Sequence, residues 1–198
     1  MPPLPQILRR GLAVLLVAIT LPAGYAGYLR ATGNVHTVDP DRVYRSAQLG
    51  PAALQRLIGD RHIRSIINLR GAHPDAQWYR DETLVAAENG VEEISFAISA
   101  NEQPSLATLR RIEAAMRAAP KPLLIHCRGG ADRSGLASAI YDYAVAGRTA
   151  DVASGQLSFA YGHFPWLTSR TGAMDRAFAD FVQQRDASKD PAGGKSSE

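Results

Sequence analysis

The hydrophobic pattern begins with an uncharged stretch, residues 11–29, which two arginines precede and Arg30 follows. About 20 consecutive apolar residues span a bilayer as a helix, and positive charge before such a segment keeps its N-terminal end in the cytoplasm. The small residues Gly24 and Ala26 also fit a cleavage site for a signal peptidase. Residues 1–30 are therefore predicted to form a hydrophobic helix that is either a membrane anchor or a cleaved signal peptide. In a bacterial cell, the first alternative holds the rest of the chain on the periplasmic face of the inner membrane, and the second releases it into the periplasm.

Beyond a polar segment at residues 31–41, interpreted as a linker, strand-like and helix-like segments alternate. Short apolar runs predict strands at residues 43–44, 63–69, 91–98 and 123–126. Apolar residues that recur every three or four positions predict helices at residues 51–60, 75–89, 105–118, 134–146, 149–159 and 171–184. Strands alternating with helices favour an α/β domain, residues 42–185, with a mostly parallel central sheet flanked by helices. Residues 186–198, rich in small and polar residues, are predicted to be a disordered tail.

Charge and cysteine content narrow the classes of function. Of the 22 basic residues, Arg9 and Arg10 precede the apolar segment, which leaves 20 basic against 19 acidic residues in the rest of the chain. Nucleic-acid binding needs a concentrated basic surface, so this near-neutral balance argues against a nucleic-acid partner. The single cysteine excludes an intramolecular disulfide, and a lone thiol in an oxidising compartment makes most sense if it does chemistry.

The single cysteine, Cys127, lies in the run 126–135 (HCRGGADRSG), between a predicted strand and a predicted helix. Where a strand end, a glycine-bearing loop and a helix start meet, several backbone N–H groups converge and can bind an anion. The positive end of the helix dipole and the fixed charge of Arg133 favour the thiolate form of Cys127. A cysteine after a buried strand is often only a core residue, but the combination with Arg133 in such a loop favours a nucleophile.

The residues around Cys127 suit the binding of a phosphate group. The guanidinium of Arg133 offers two donors to two oxygens at once. Gly129 and Gly130 let backbone amides approach the anion closely and allow positive φ. Ser134 can donate its hydroxyl hydrogen to the sulfur when that sulfur leaves. The loop has Asp-Arg-Ser where a nucleotide-binding phosphate loop needs Gly-Lys-Ser/Thr, so that alternative is excluded.

Residues 126–135 fill every defining position of His-Cys-x-x-Gly-x-x-Arg-Ser/Thr-Gly and so resemble the signature of the cysteine-dependent protein tyrosine and dual-specificity phosphatases. The resemblance implies a dual-specificity-phosphatase-like fold and hydrolysis of phosphomonoesters through a phosphocysteine intermediate on Cys127. It implies no metal or other cofactor. Besides Arg133, the substrate-binding positions that it implies are His126, Arg128, Gly129, Gly130 and Ala131.

The general acid of that family is usually an aspartate on a separate upstream loop, but residues 99–105, which correspond to this loop, contain no aspartate. Two candidates remain. Asp132 is preferred, because Asp-Arg at this place resembles bacterial and lipid-directed phosphatases; its alternative role is to orient Arg133 or to cap the following helix. Glu102 is the second candidate, because it lies in the upstream loop.

Other residues near the motif are weaker candidates. His126 is expected either to tune the thiolate by hydrogen bonding or to be a satisfied core histidine. Candidates to meet a second negative charge on the substrate are Arg128, Arg45 and Arg70. Residues expected to pack at the periphery of the domain are Trp78, Tyr79, His163, Phe164 and Trp166. Of these, His163 is also a minor candidate to support the residues that contact the substrate.

Three functions fit these residues. The preferred one is a phosphatase that acts on phosphotyrosine, and on phosphoserine or phosphothreonine, in proteins. The alternative keeps the same chemistry but takes a phosphoinositide or inositol polyphosphate, although Ala131 stands where several lipid-directed relatives have lysine. The third, a non-catalytic phosphate-binding module, is disfavoured because a binder needs neither the thiolate of Cys127 nor the hydroxyl of Ser134.

Overall fold

The computed structural model describes residues 5–166 and 169–189 of the 198-residue chain. Its first half contains α1 (Gln6–Ala31), β1 (His36–Asp39), β2 (Val43–Ser46), α2 (Pro51–Arg61), β3 (Ser65–Asn68), α3 (Gln77–Glu88) and β4 (Glu92–Ser95). The second half contains α4 (Leu106–Ala118), β5 (Leu123–His126), α5 (Asp132–Ile140), α6 (Ala150–Ser154) and α7 (Gly172–Lys189). A π-helical turn (Tyr141–Val145) continues α5, and a 3₁₀ turn (Phe159–Tyr161) follows α6.

Within the described residues, five strands form one sheet in the order β1-β2-β5-β3-β4. Only the β1–β2 pair is antiparallel; the other three pairs are parallel. Ser46 of β2 and Asn68 of β3 both pair with His126 of β5. The carboxyl ends of three parallel strands therefore meet at one edge of the sheet, directly before the cysteine loop. The predicted α/β fold with a mostly parallel sheet is confirmed.

Strand β5 is buried along its whole length, since helices cover both faces of the sheet. Leu123 and Ile125 belong to the larger apolar cluster, which α4, α5 and α7 complete, whereas Leu124 belongs to a second cluster with α2 and α3. This alternation follows from the two-residue repeat of a strand. Each buried aliphatic side chain contributes about 1.5–3 kcal/mol, so the end of β5, where the loop begins, is firmly placed.

Strand β1 lies inside the segment interpreted above as a linker. Its side chains alternate little in polarity, because it is an edge strand that pairs only with β2 and leaves Thr37 exposed. A polar edge strand of four residues carries no apolar run by which the sequence could reveal it. The interpretation of residues 31–41 as a linker is therefore corrected for His36–Asp39.

Two helices end well away from their predicted positions. The helix predicted at residues 149–159 ends at Ser154, because both the carbonyl and the side chain of Gln156 turn inward to accept hydrogen bonds from Arg45. Helix α7 continues to Lys189, so the first residues of the predicted tail are helical. The rest of that tail, residues 190–198, lies outside the described residues.

Helix α1 confirms the predicted hydrophobic helix. It is long and apolar enough to cross a membrane, and its most apolar part is 6% buried. Its C-terminal end contacts the rest of the domain: Leu29 is buried, and the Tyr25 hydroxyl donates a hydrogen bond of 2.5 Å to the carbonyl of Ala160. Its length and composition fit both a membrane-spanning helix and a signal sequence.

Candidate active site

Cys127 is the first residue of the loop that joins β5 to α5. Its side chain is 2% exposed, and its Sγ lies 3.4 Å from Oγ of Ser134 in the first turn of α5. The strand ends at His126 and the helix begins at Asp132. The predicted junction of strand, loop and helix start is confirmed, with the sulfur next to the helix N-terminus.

The carbonyl groups of this loop are bound from outside. Asn34 donates its side-chain amide to the carbonyl of Gly129 at 2.9 Å, and the backbone N–H of Gln48 donates to that of Arg128 at 3.3 Å. Nη2 of Arg45 donates to the carbonyls of Gly130 and Ala131, both at 2.9 Å. Among the described residues, no group accepts a hydrogen bond from the backbone N–H groups of residues 128–133. With the carbonyls held outside, these N–H groups are available for the anion site that the sequence predicts.

Gly130 is the loop position that requires glycine. Its φ is +70°, and a Cβ at this position would lie 2.6 Å from the backbone nitrogen of Ala47. Gly129 was expected to share this requirement, but a Cβ there would have no heavy atom within 4 Å. The close packing of the loop against β2 therefore depends on Gly130 alone of the two.

Arg133 reaches over the loop from α5. Its Nη1 donates to the carbonyls of Leu69 at 3.3 Å and Ile98 at 3.2 Å, which holds one side of the guanidinium. Its Nε is buried and has no hydrogen-bond partner among residues 5–166 and 169–189. An unsatisfied buried donor costs about 1–3 kcal/mol, so this nitrogen is prepared to bind an oxygen of an anion that enters the loop.

Arg45 was a candidate to meet a second negative charge on the substrate, but it is too deeply buried for that role. It is fully buried beneath the loop, where Nη1 binds the carbonyl and side chain of Gln156 and Nη2 binds two loop carbonyls. Burial lowers the pKa of Arg45 to about 10, although nearby negative groups, first among them Cys127, oppose the shift. Arg45 therefore shapes the loop and adds positive charge below the sulfur.

His126 is buried and paired with a residue that the sequence analysis missed. Its Nε2 lies 3.1 Å from Oε1 of Glu82, whose other oxygen accepts a hydrogen bond from Gln48. The amide oxygen of Gln48 in turn accepts from Arg70, whose guanidinium stacks 3.4 Å above the ring of Trp78. A chain of side chains thus connects the cysteine loop to the rim of the site. Glu82 was detectable, since it falls on the apolar stripe of α3.

Asp132 is held by His163, which Asp175 holds in turn. His163 is fully buried, with Nδ1 2.7 Å from Oδ1 of Asp132 and Nε2 2.9 Å from Oδ2 of Asp175. Burial lowers the pKa of His163, but hydrogen bonds to the two carboxylates outweigh it, so the pKa is raised overall. The charged imidazole can donate to both carboxylates at once, whereas the neutral ring has a single donor. His163, only a minor candidate from the sequence, therefore contacts one of the two candidate acids.

A cavity of about 560 Å³ opens above the sulfur. Its lining consists of Arg30, Ala47, Ala100, Cys127, Arg128, Gly129, Asp132 and Arg133. Of the two candidate acids, Asp132 lines this cavity, whereas Glu102 lines a separate surface depression with Ser99 and Gln103. Ala131 is buried, and it takes part through its backbone. Arg30, which the sequence analysis treated only as a flank of the apolar helix, extends to the mouth of the cavity.

The site combines a cysteine at the carboxyl end of a central parallel strand, an arginine six residues later and a hydroxyl beside the sulfur. This combination defines a cysteine-dependent phosphatase with a dual-specificity-phosphatase-like fold. The chain belongs to the family described as "DSP-PTPase phosphatase fused to NAD+ Kinase", whose sequence profile matches residues 29–175. It is therefore a hydrolase of phosphomonoesters that works through a cysteine. A search of curated protein sequences finds no match.

Solved structures of phosphatases share the fold. TpbA from P. aeruginosa superposes with a TM-score of 0.52 at 20% identity, over 75% of this chain and 91% of that chain. PTPMT1 superposes with a TM-score of 0.57 at 18% identity, over 77% of this chain and 98% of that chain. The core catalytic domain of the PP-IP phosphatase SIW14 from S. cerevisiae superposes with a TM-score of 0.57 at 19% identity. The match covers 80% of this chain and 93% of that chain. At these identities the similarity establishes the fold, and the substrates of these enzymes do not transfer to this chain.

Proposed function

We propose that this phosphatase acts on phosphotyrosine, and on phosphoserine or phosphothreonine, in proteins, with Cys127 as the nucleophile. The observation that carries the proposal is the Cys127 sulfur at 3.4 Å from the Ser134 hydroxyl, in one cavity with Arg133. The thiolate attacks phosphorus, and a sulfur–phosphorus bond forms as the bond to the leaving oxygen breaks. Arg133 and the loop N–H groups bind the three phosphoryl oxygens, which is the main contribution of the protein to phosphoryl transfer.

Asp132 is proposed as the general acid that protonates the leaving oxygen. Its carboxylate then accepts a proton from the water that attacks phosphorus, and the sulfur–phosphorus bond breaks while Ser134 donates a hydrogen bond to the departing sulfur. The support for Asp132 over Glu102 is its place in the lining of the Cys127 cavity. His163 contacts Asp132 and is not in the lining of the Cys127 cavity, so its proposed role is to position the acid.

Hydrolysis of a phosphotyrosine peptide by the purified full chain under reducing conditions tests the proposal. We expect release of phosphate from the peptide and from an aryl phosphate, and complete loss of both activities in Cys127→Ser. That variant keeps the loop, so it is expected to bind phosphate still. If the wild-type protein leaves peptide and aryl phosphate intact, the proposed function is wrong.

A second candidate substrate is a phosphoinositide or inositol polyphosphate, and the charges at the cavity favour it. Arg30 and Arg128 line the cavity. The pKa of Arg70 is lowered by burial and by the positive charges of Arg133 and Arg128, so these cations lie close together. Such a cluster attracts substrates with several anionic groups.

The two substrate classes can be separated with one variant. Removal of charge by Arg128→Ala is expected to lower kcat/KM severalfold on an inositol polyphosphate and much less on a phosphotyrosine peptide with a neutral sequence. If the wild-type enzyme hydrolyses only the peptide, this second candidate is wrong. If it hydrolyses only the inositol polyphosphate, the first is wrong.

We also propose that α1 stays attached as an anchor and holds a catalytic domain, residues 42–185 together with β1, on the periplasmic face of the inner membrane. Cleavage after Ala26 would remove Tyr25, whose ring and hydroxyl contact Phe159 and Ala160 of the domain. The intact mass of the protein extracted from membranes tests this proposal. A mature chain that starts near residue 27 and is free of the membrane contradicts it.

A further inference from the structure

Five aromatic side chains form a continuous row from the end of α1 to the segment before α7. The ring centroids are separated by 6.4 Å between Tyr28 and Tyr25, and by 5.5 Å between Tyr25 and Phe159. The row continues over 6.3 Å to Phe164 and 4.9 Å to Trp166. These five residues are called the aromatic row below.

Most of the aromatic row is exposed. The exposed fractions are 61% for Tyr28, 43% for Phe159, 43% for Phe164 and 56% for Trp166. Residues 157–166, which carry three of the rings, contain no Asp, Glu, Lys or Arg, and the histidine in this segment is buried. A contiguous, uncharged aromatic surface of this kind marks an interaction site.

The position of the aromatic row along α1 indicates that the row contacts a membrane. Residues 11–29 are uncharged, so Arg30 is the first residue after this stretch that favours the headgroup level when α1 spans a bilayer. Tyr25 precedes Arg30 by about 7 Å along the axis, which is close to the thickness of the interfacial layer on one side of a bilayer, so Tyr25 lies at the inner boundary of that layer. Because Tyr25 binds the domain through Ala160, the part of the domain around Phe159 must reach this depth whenever α1 spans the membrane.

We propose that the aromatic row lies in the interfacial layer of the membrane and docks the catalytic domain on the bilayer surface. Trp and Tyr favour this layer, where the ring is in an apolar setting and the polar group meets water. Arg30, five residues beyond Tyr25, lines the cavity of Cys127. The mouth of the active site therefore lies at the level of the lipid headgroups, and phosphomonoesters at the membrane surface reach it first. The inference rests on the anchoring by α1 proposed above.

Quenching of tryptophan fluorescence by brominated lipid tests the docking. The full chain is reconstituted in vesicles of phosphatidylcholine and phosphatidylglycerol, with part of the phosphatidylcholine brominated near the headgroup end of its acyl chains. We expect the wild-type protein to be quenched and Trp166→Phe to lose most of that quenching, since Trp78, the other tryptophan, lies on α3 outside the row.

A pair of charge variants separates docking from a general effect of the membrane. Phe164→Glu puts a charge in the row, so we expect a red shift of the Trp166 emission and loss of its quenching. Leu84→Glu makes a matched change at an apolar side chain that is 59% exposed on α3, outside the row. This control is expected to leave quenching unchanged.

The outcomes distinguish this inference from the proposed function. If alkaline carbonate strips the full chain from the vesicles, both the anchoring and the docking are wrong. If the chain stays in the vesicles but wild type and Trp166→Phe are quenched equally, the anchoring stands and the docking is wrong. The docking is also wrong if Trp166 is shielded from brominated lipid and the chains cross-link to one another. In that case the aromatic row binds a second copy of the chain.

Discussion

Nδ1 of His163 lies 2.7 Å from Oδ1 of Asp132, and 31 positions separate the two residues in the chain. His163 is fully buried, whereas Asp132 lines the cavity above Cys127. On its other side, His163 meets Asp175, whose side chain is 43% exposed. His163 therefore fixes the orientation of the Asp132 carboxylate in the cavity above Cys127. Through His163, this carboxylate is connected to Asp175 at the protein surface.

Asp132→Asn and Glu102→Gln distinguish the two candidate acids. A general acid contributes about 10²–10⁴-fold to the rate, and it matters most when the leaving group is a poor one. We expect Asp132→Asn to lower kcat on phenyl phosphate by about 10²-fold or more, with a much smaller loss on nitrophenyl phosphate. Glu102→Gln should behave as the wild type on both. A selective loss in Glu102→Gln alone reverses the assignment, and no selective loss in either variant eliminates both residues.

His163→Asn tests whether His163 positions the acid. We expect kcat on phenyl phosphate to fall about tenfold or more while KM changes little, because the phosphate loop is intact. Asp175→Asn removes the negative charge of the outer partner while its amide oxygen can still accept the hydrogen bond, so a smaller decrease of the same kind is expected. Equal losses on good and poor leaving groups, together with a lower melting temperature, would indicate that His163 has a structural role only.

The pKa of His163 makes stability dependent on pH in a defined direction. The carboxylates of Asp132 and Asp175 raise this pKa in the folded state, although burial opposes them. A raised pKa stabilises the folded protein below the unfolded value of about 6.5, and the contribution is lost as the pH rises through the folded pKa. Urea denaturation of wild type and His163→Gln over a pH series should therefore show a stability difference that shrinks with rising pH. A difference that grows instead contradicts this expectation.

Arg45→Lys should damage the loop although it keeps the charge. A lysine cannot reach Gln156 and the carbonyls of Gly130 and Ala131 together, because it lacks the planar fork of arginine. Each buried carbonyl left without a donor costs about 1–3 kcal/mol, so a loss of several kcal/mol in the free energy of unfolding is expected, along with most of the activity. Arg61→Lys, at an exposed arginine on α2, is the matched control and should unfold as the wild type. Equal stability of the two variants would refute the role given to Arg45.

Gly130→Ala and Gly129→Ala should differ in stability although the residues are neighbours. The alanine at 130 would be forced to a φ of +70° and its Cβ placed 2.6 Å from the nitrogen of Ala47. We expect a loss of about 1–3 kcal/mol or more for Gly130→Ala and little change in unfolding free energy for Gly129→Ala. Thermal denaturation with calorimetry measures both, and similar melting temperatures would contradict the packing argument.

The chemistry of the loop was predictable because its determinants are close together in the chain. Cys127, Arg133 and Ser134 lie within eight consecutive positions, and the junction of strand and helix that places them is set by local apolar runs. The parallel sheet followed from the alternation of strands and helices. Edge strand β1 was missed because a strand of four residues that pairs on one side needs no apolar pattern.

By itself, the sequence determined the α/β fold and the hydrophobic helix and predicted the nucleophile and the phosphate-binding loop, because each depends on residues that are neighbours in the chain. Only the tertiary structure decided the partners of the loop. Arg45 is 85 positions from Gly130, and Glu82 is 44 from His126. No periodicity relates residues so far apart, and their pairing is set by which strands are adjacent in the sheet. The same packing brought Arg30 to the cavity and buried His163 against Asp132.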